Sequence, residues 1–383
     1  MKIVEVSQYY PPYLGGQEAY VRNLSRSLVA NGDQVTVLTT TQTNNPASED
    51  SGVEVIRRRP LITILNNPIT LSPWHHRRLL ESCDIVHAHN EHSFVTLVVS
   101  LMKSKISRPL ALTLHGELVF GQALLDAFER EYSATLGNLV IRCADIVFVD
   151  SVEKKQEVAN GGVPVGRVVV VPNAVDVNYL DLFRSGASGA HVRNAFNIRP
   201  ETRIVLFVGR LIPRKGVPIL IEAFRKCLAA RRDLFLVIVG EGVLRPSCVE
   251  ATRAGETRGH LAVLSGISDT DLYRLYQAAD LFVLPSLSEG CPTAILEAMF
   301  FGCKVVASDI PGIRNHFSDF CTLVPPRSAT ALSEAMLSQI DPERHESETL
   351  EYRSREVVRN EFSWVKAART YVNAFESLRR GRG

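Results

Sequence analysis

No stretch of this 383-residue chain is long and apolar enough to span a membrane; the longest such run, near residues 94 to 102, is already broken by Thr96 and Ser100. Charge of one sign is missing too. The net balance is only +2, which leaves no global field for nucleic acid. Cysteine is sparse and unpaired in pattern: seven residues, an odd number with no C-x-x-C, argue against a disulfide framework or a zinc ribbon. They read as buried thiols in a reducing compartment, so a cytoplasmic location is expected. The first residues carry one Lys and then a short run broken by Gln8 and two prolines, so no signal peptide is expected there. Internal repeats and low-complexity tracts are absent as well.

What is present is ordinary globular composition, 45% apolar and 22% charged, in a chain long enough for two cores. Short apolar runs alternate with helical patterns, which predicts parallel sheets flanked by helices. The first half offers strands at Ile3–Val6, Val35–Thr39, Val53–Arg57, Ile85–His89, Leu110–Leu114, Ile146–Val149 and Val168–Val171. The second offers Ile204–Val208, Leu234–Val239, Ala262–Leu264, Leu281–Leu284, Lys304–Ala307 and Thr322–Val324. Ligands of doubly wound sheets bind at the carboxyl ends of strands, and two such sheets facing each other make a cleft. Three domains of sequence follow: 1–175, 176–360 and a closing helix in 361–383. The first boundary lies after Val171 to Asp176, before the small-residue stretch Ser185 to Ala190. The closing helix would present Trp364, Val365, Ala368, Tyr371, Val372 and Phe375 as its apolar face.

Chemistry concentrates between Pro285 and Asp309. After the strand Leu281–Leu284 comes a Ser-Leu-Ser-Glu-Gly turn, and Pro292 suits the first position of the helix that follows. The amides around Gly290, Cys291 and Thr293 are thereby left for an anion. Glu289 sits on the loop and Glu297 inside the helix, roughly 7 Å along the axis from Pro292 at ~1.5 Å per residue. That pair could hold two ends of a ligand whose middle is anionic, as in a sugar nucleotide; the plainer alternative is two solvated glutamates. Gly209-Arg210-Leu211 and Lys215-Gly216 follow the strand Ile204–Val208. Arg210 and Lys215 either meet charge building on a diphosphate or form a solvated basic loop. Gly15-Gly16, after Tyr9-Tyr10-Pro11-Pro12, either lets backbone approach a phosphate or makes a turn. Lacking G-x-G-x-x-G, it does not support a nicotinamide site. His115-Gly116 ends the strand Leu110–Leu114, and Gly240-Glu241-Gly242 and Ser265-Gly266-Ile267 follow strands of the second half.

These motifs, in this order, resemble the signature of retaining glycosyltransferases of family 4. E-G-x-P, L-E-A-M and x-G-x-x-V-V-A-S-D match at Glu289 to Asp309, G-R-x-x-x-x-K-G at Gly209 to Gly216, and G-G-x-E at Gly15 to Glu18. Lys304 departs from the pattern, standing where the family usually has proline. The resemblance implies the GT-B fold, two facing Rossmann-like doubly wound parallel-sheet domains with a cleft between them. The first domain would serve the acceptor and the second a nucleoside diphosphate sugar, UDP- or GDP-linked, with the last helix packing back on the first. It implies that Glu289 holds donor sugar hydroxyls, Glu297 the ribose, Arg210 and Lys215 the diphosphate, and His115 the donor's position. Gly15, Gly16, Gly290, Cys291, Pro292, Thr293, Gly266 and Ile267 would contact the donor. No cofactor or metal is expected. The expected reaction moves a hexose or N-acetylhexosamine to a hydroxyl of a lipid-linked or saccharide acceptor, with retention. The rivals are a non-catalytic partner subunit, which should have lost some of Glu289, Arg210 and Lys215, and a glycoside hydrolase, which a cation pair beside the carboxylates does not suit.

Two further features bear on metal and membrane. His87 and His89 share a strand face and, with His92, look like metal ligands, but no carboxylate–histidine set with better spacing accompanies them, so no metal is assigned. Asp269-Thr270-Asp271 reads as a helix cap at Asp269 and not as a D-x-D metal motif. From Val55 to Leu110 there are eight basic residues against three acids. Within that region Arg57-Arg58-Arg59, Leu61 to Leu65 and Pro73-Trp74-His75-His76-Arg77-Arg78 suit an anionic membrane surface. Peripheral contact with the inner face of the plasma membrane, or the cytosolic face of an internal one, is therefore expected.

Overall fold

A computed structural model describes residues 1–13, 15–41, 49–65, 67–115, 127, 131–184, 188–196, 198–340 and 347–381. Gly116 and part of the stretch from Ser185 to Ala190 lie outside the described residues. The chain divides into two compact units, Met1–Pro172 with Trp364–Gly383, and Asn173–Ser363.

The first unit is built on a sheet of β1 (Lys2–Val6), β2 (Gln34–Thr40), β3 (Glu49–Asp50), β4 (Val53–Arg58), β7 (Ile85–His89), β8 (Leu110–Thr113), β9 (Ile146–Val149) and β10 (Val168–Val170). Its spatial order is β10-β9-β8-β7-β1-β2-β4-β3, parallel throughout except at the short edge strand β3. Strand order reverses between β1 and β7, the crevice position where open α/β sheets take their ligands. A separate hairpin, β5 (Ile62–Ile64) with β6 (Asn67–Ile69), stands apart from that sheet. The last helix, Trp364–Arg380, packs against the helix Gly16–Ala30 and buries Trp364, Ala367, Ala368, Tyr371 and Phe375. Val365, expected on that face, is exposed, and Ala367 takes its place because Trp364 already opens the helix.

The second unit has six parallel strands: β11 (Arg203–Val208), β12 (Leu234–Val239), β13 (Leu261–Leu264), β14 (Leu281–Leu284), β15 (Lys304–Ser308) and β16 (Thr322–Val324). They lie in the order β13-β12-β11-β14-β15-β16, with the reversal between β11 and β14. Parallel sheets are covered on both faces, so their strands read as unbroken apolar runs; all six residues of β12, L-F-L-V-I-V, are buried. The helix Val217–Ala230 covers one face through Leu220, Ile221, Phe224, Cys227 and Leu228, spaced for one side of a helix. Burying each such side chain contributes about 1.5–3 kcal/mol. Lys304, the departure from the family pattern, donates from Nζ to the carbonyl of Gln339 at 2.9 Å, near the end of the helix Ala329–Ile340. A cation at that end is favourable, which gives this lysine a structural task of its own.

Candidate active site

Because all six strands of the second unit are parallel, their carboxyl ends share one edge, and the strand reversal puts the loops after β11 and β14 side by side. The loop after β11 carries Arg210 and Lys215; the loop after β14 carries Glu289. Lys215 Nζ donates to Glu289 Oε1 at 2.5 Å, and Ser286 Oγ donates to the same oxygen at 2.6 Å. The two loops are also tied through backbone, Leu287 N to Arg214 O at 2.7 Å. Burial, then the nearby Arg214 cation, lowers the pKa of Arg210, while Glu289 acts in the opposite direction. Two basic groups, Lys215 and Arg210, thus act on one carboxylate.

Two glycines make this closeness feasible. Gly216 lies in the left-handed region at φ 68°, and a Cβ there would overlap the carbonyl oxygen of Pro285. Gly312, at the start of the helix Pro311–Phe317, presses on the Glu289–Gly290 backbone so tightly that a Cβ would overlap both carbonyl oxygens. The sequence reading missed Gly312, since nothing local marks a glycine pressed against a loop more than twenty residues upstream. It also missed Ser286 and Asn173. Asn173 Nδ2 donates to the carbonyl of Cys291 at 2.6 Å, pinning the turn before the helix. Only Ser286 left a signal, three residues before Glu289 in the same turn.

The helix Thr293–Phe300 begins one residue later than expected. Pro292 is its cap in extended backbone, so the ring stands outside the first turn and Thr293 is the first helical residue. The amides of Gly290 and Thr293, two of those that the sequence reading offers to an anion, donate to nothing among the described residues. Glu297 is only partly exposed, and burial pushes its carboxyl up to about 7, against the phenol of Tyr276 that donates to it at 2.8 Å. Gly266 and Ile267 follow β13 at the same edge, with Gly266 at φ 61°. Asp269 does not cap the next helix: Ser268 does, accepting from Asp271 N at 3.1 Å, because the helix starts at Asp269 itself.

In the first unit, Gly15 caps the helix Gly16–Ala30 in extended backbone, and open space surrounds the Cα of Gly16. His115 lies two residues past β8 with its Nε2 3.0 Å from His89 Nδ1. Here the sequence reading needs correction. A carboxylate does accompany His87 and His89: Glu5, whose Cα pairs with that of His87 across the parallel β1–β7 ladder. Glu5 Oε2 lies 2.6 Å from His89 Nε2 and 2.8 Å from His87 Nδ1, and all three side chains are fully buried. His92 stands apart, 3.3 Å from Glu91. Parallel register joins residues more than eighty positions apart, which no local spacing reveals.

Comparison with known proteins now decides the family. The family described as glycosyl transferases group 1 matches residues 190–357, and glycosyltransferase family 4 matches residues 14–179. The chain belongs to the family 4, group 1 glycosyltransferases. An uncharacterized glycosyltransferase of Methanocaldococcus jannaschii is 27% identical over 323 residues, 82% of each chain. A D-inositol 3-phosphate glycosyltransferase of Segniliparus rotundus is 27% identical over 364 residues, 87% of this chain and 76% of its own. Among solved structures, Anabaena HepE in complex with UDP-glucose has a TM-score of 0.78 at 20% identity, covering 98% of this chain and all of its own. That likeness assigns the GT-B fold to this glycosyltransferase, which agrees with the two Rossmann-like sheets described above.

Proposed function

We propose that this glycosyltransferase moves a hexose or N-acetylhexosamine from a nucleoside diphosphate sugar to a hydroxyl acceptor, with retention and without a metal ion. The observation that carries the reading is the Lys215–Glu289 contact at 2.5 Å, set with Arg210 at the strand reversal of the second unit. Lys215 and Arg210 neutralise the diphosphate as its bond to the sugar C1 breaks, a task that a metal ion performs elsewhere. The free amides of Gly290 and Thr293 hold phosphate oxygens, Glu289 the sugar hydroxyls and Glu297 the ribose. His115 keeps the task of positioning the donor on the family resemblance alone. As the acceptor oxygen bonds to C1, its proton passes to the leaving diphosphate on the same face of the sugar, so no enzymic base is required. A sugar-nucleotide donor is supported by the UDP-glucose complex of HepE.

The acceptor we propose is lipid-linked, reached from a membrane surface. No helix among the described residues is long and apolar enough to cross a membrane. The hairpin β5–β6 nonetheless leaves Leu61, Ile62, Ile64 and Leu65 exposed, beside the exposed Leu71 and Trp74. The test of the reaction is a panel of sugar nucleotides scored for nucleotide release with and without acceptor, in EDTA, with the product's anomeric configuration read by NMR. Transfer with retention in EDTA is expected. A requirement for added Mn²⁺ or Mg²⁺ overturns the metal-free reading, release of nucleotide from no donor the catalytic one, and an inverted product the stereochemical one.

A further inference from the structure

The buried Glu5 is used by no step above, although a carboxylate taken wholly out of water is costly unless its partners repay it. Its partners are two arms of one network. Along the first, His89 Nε2 meets Glu5 Oε2 at 2.6 Å and His89 Nδ1 meets His115 Nε2 at 3.0 Å. Along the second, His87 has Nδ1 at 2.8 Å from the same oxygen and Nε2 at 2.7 Å from Thr113 Oγ1, which lies 2.9 Å from Tyr371 Oη; that phenol lies 2.8 Å from Tyr20 Oη. Both arms converge on one oxygen, His89 through a hydrogen bond and His87 Nδ1 by proximity alone, while Glu5 Oε1 and His87 Nδ1 have no hydrogen-bond partner among the described residues.

A Glu–His–His trio is also a familiar metal-ligand set, and the donor atoms of Glu5, His87 and His89 all lie within 4.8 Å of one another. The spacing decides against it. Tetrahedral zinc with ligands at ~2.0–2.1 Å keeps them roughly 3.3 Å apart. The two nitrogens here approach Glu5 Oε2 at 2.6 and 2.8 Å, closer than two ligands of such an ion stand, and the shorter approach is a hydrogen bond.

Proton placement then follows from the acceptor end. An ionised carboxylate only accepts, so the proton facing Glu5 sits on His89 Nε2. Neutral His89 is left with a bare Nδ1, and its contact with His115 is a hydrogen bond only if His115 carries its proton on Nε2. From this geometry we infer that Glu5 is a positioning residue which, through His89, holds His115 in the tautomer with Nδ1 bare, a fixed acceptor for a hydroxyl of the donor sugar. The role for that acceptor rests on the donor-positioning task given to His115 above. Charge states agree: the facing imidazoles hold Glu5 down to about 2 against the upward push of burial, and burial lowers His89 to about 4 and His115 well below its ordinary value. No described residue supplies a partner for His115 Nδ1.

Glu5→Gln tests the inference because its amide keeps the shape but loses the obligation to accept. If the NH₂ faces His89, that ring must present a bare Nε2 and donate from Nδ1, which reverses His115 as well. The full-length protein labelled with ¹⁵N-histidine reports each tautomer through long-range ¹H–¹⁵N correlations, with His115 assigned by its loss in His115→Ala. The expected wild-type result is Nε2–H with bare Nδ1 at His115. Glu5→Gln should show mixed tautomers and a kcat reduced roughly tenfold, the loss of about one hydrogen bond, with a smaller change in donor KM. An Nδ1–H tautomer at His115 in wild type, an unchanged tautomer and rate in Glu5→Gln, or one equivalent of bound metal in the purified protein would each overturn it. Should Glu5→Gln fail to fold, the wild-type spectrum decides alone. Should no sugar nucleotide support transfer, the proposed function falls, whereas the spectrum still tests the relay.

Discussion

Each sheet reverses its strand order once, and a carboxylate stands at each reversal, yet the two are handled in opposite ways. In the first unit, Glu5 is inside strand β1, fully buried and faced by imidazoles on β7. In the second, Glu289 lies beyond the end of β14, on a loop, paired with a lysine from a neighbouring loop and close to unpaired amides. A carboxylate within a strand has no route to a ligand and acts only on the groups it touches. One on a crevice loop stands where sheets of this kind take their ligands. On the roles proposed above, the same topological position yields a positioning group in one sheet and a donor-contact group in the other.

The sharpest way to break this contrast is to remove the crevice pair. Lys215→Ala and Glu289→Ala should each lower the transfer rate on the order of 10²–10³-fold, the range for losing one preorganised electrostatic contact. Thermal unfolding should shift by only a few degrees, because both groups lie at the loop edge, outside the apolar core. Wild-type rates in either variant would remove the site from the second unit.

Next in size is the glycine that presses the Glu289 loop into place. Gly312→Ala must displace the carbonyls of Glu289 and Gly290, so a stability loss of about 1–3 kcal/mol is expected, as for overpacking. A shift of about 1 Å in the loop should lower transfer by as much as ~10²-fold. Gly255→Ala is the control: nothing lies within 4 Å of its added Cβ, and it should change stability by no more than ~0.5 kcal/mol. Equal behaviour of the two variants would mean that the loop is not held from below.

Glu297 sharpens the comparison through pH. Its carboxyl titrates near 7 in the fold against an ordinary 4.5, so the folded protein keeps this proton to higher pH than the unfolded chain. Its contribution to stability is therefore complete below about pH 4.5 and is lost as pH rises through 7. Glu297→Gln should be more stable than wild type by about 1–3 kcal/mol at pH 8, allowing for partial exposure, and equal to it at pH 4. Chemical denaturation at the two pH values measures the gap. A gap that does not change with pH would mean that the carboxyl is solvated like any other.

Sequence pattern carried most of this architecture for a physical reason. Strands covered on both faces are uniformly apolar, so Leu234–Val239 and Leu281–Leu284 were legible to the residue. Crevice residues that follow such strands were equally legible, because Arg210, Lys215 and Glu289 are placed by strand ends. What stayed hidden depends on pairing between distant segments. Glu5 meets His87 through parallel register, and Gly312 meets Glu289 through a crossover. The β5–β6 hairpin escaped because its strands are three residues long and one contains Pro68. Pro292 was off by one position, since proline is compatible with either a cap or the first helical turn.

The last prediction concerns the membrane, and here the side chains narrow the sequence-based patch. Arg57 is committed to the fold, donating to the carbonyls of Tyr10 and Pro11 and lying over the Tyr10 ring, and Arg77 pairs with Glu81 at 2.6 Å. Arg58 and Arg78 are exposed, and Lys105 sets its ammonium 4.6 Å above the Trp74 ring. Asn67, at the turn end of the hairpin, ties it to the start of the helix Phe94–Ile106, donating to His92 O at 2.6 Å and accepting from Phe94 N at 3.0 Å. Basic groups near an anionic surface are worth about 1 kcal/mol each, so Arg58→Gln with Arg78→Gln should weaken binding to phosphatidylserine-containing vesicles by roughly thirtyfold at low salt. Replacing Ile62 and Ile64 by Ser should weaken it further and make the remainder more salt-sensitive, because the apolar share of the contact is then gone. Vesicle flotation measures both. Equal flotation of wild type and the charge variant, or none by wild type, would leave a soluble acceptor as the better reading, with the transfer site of the second unit untouched.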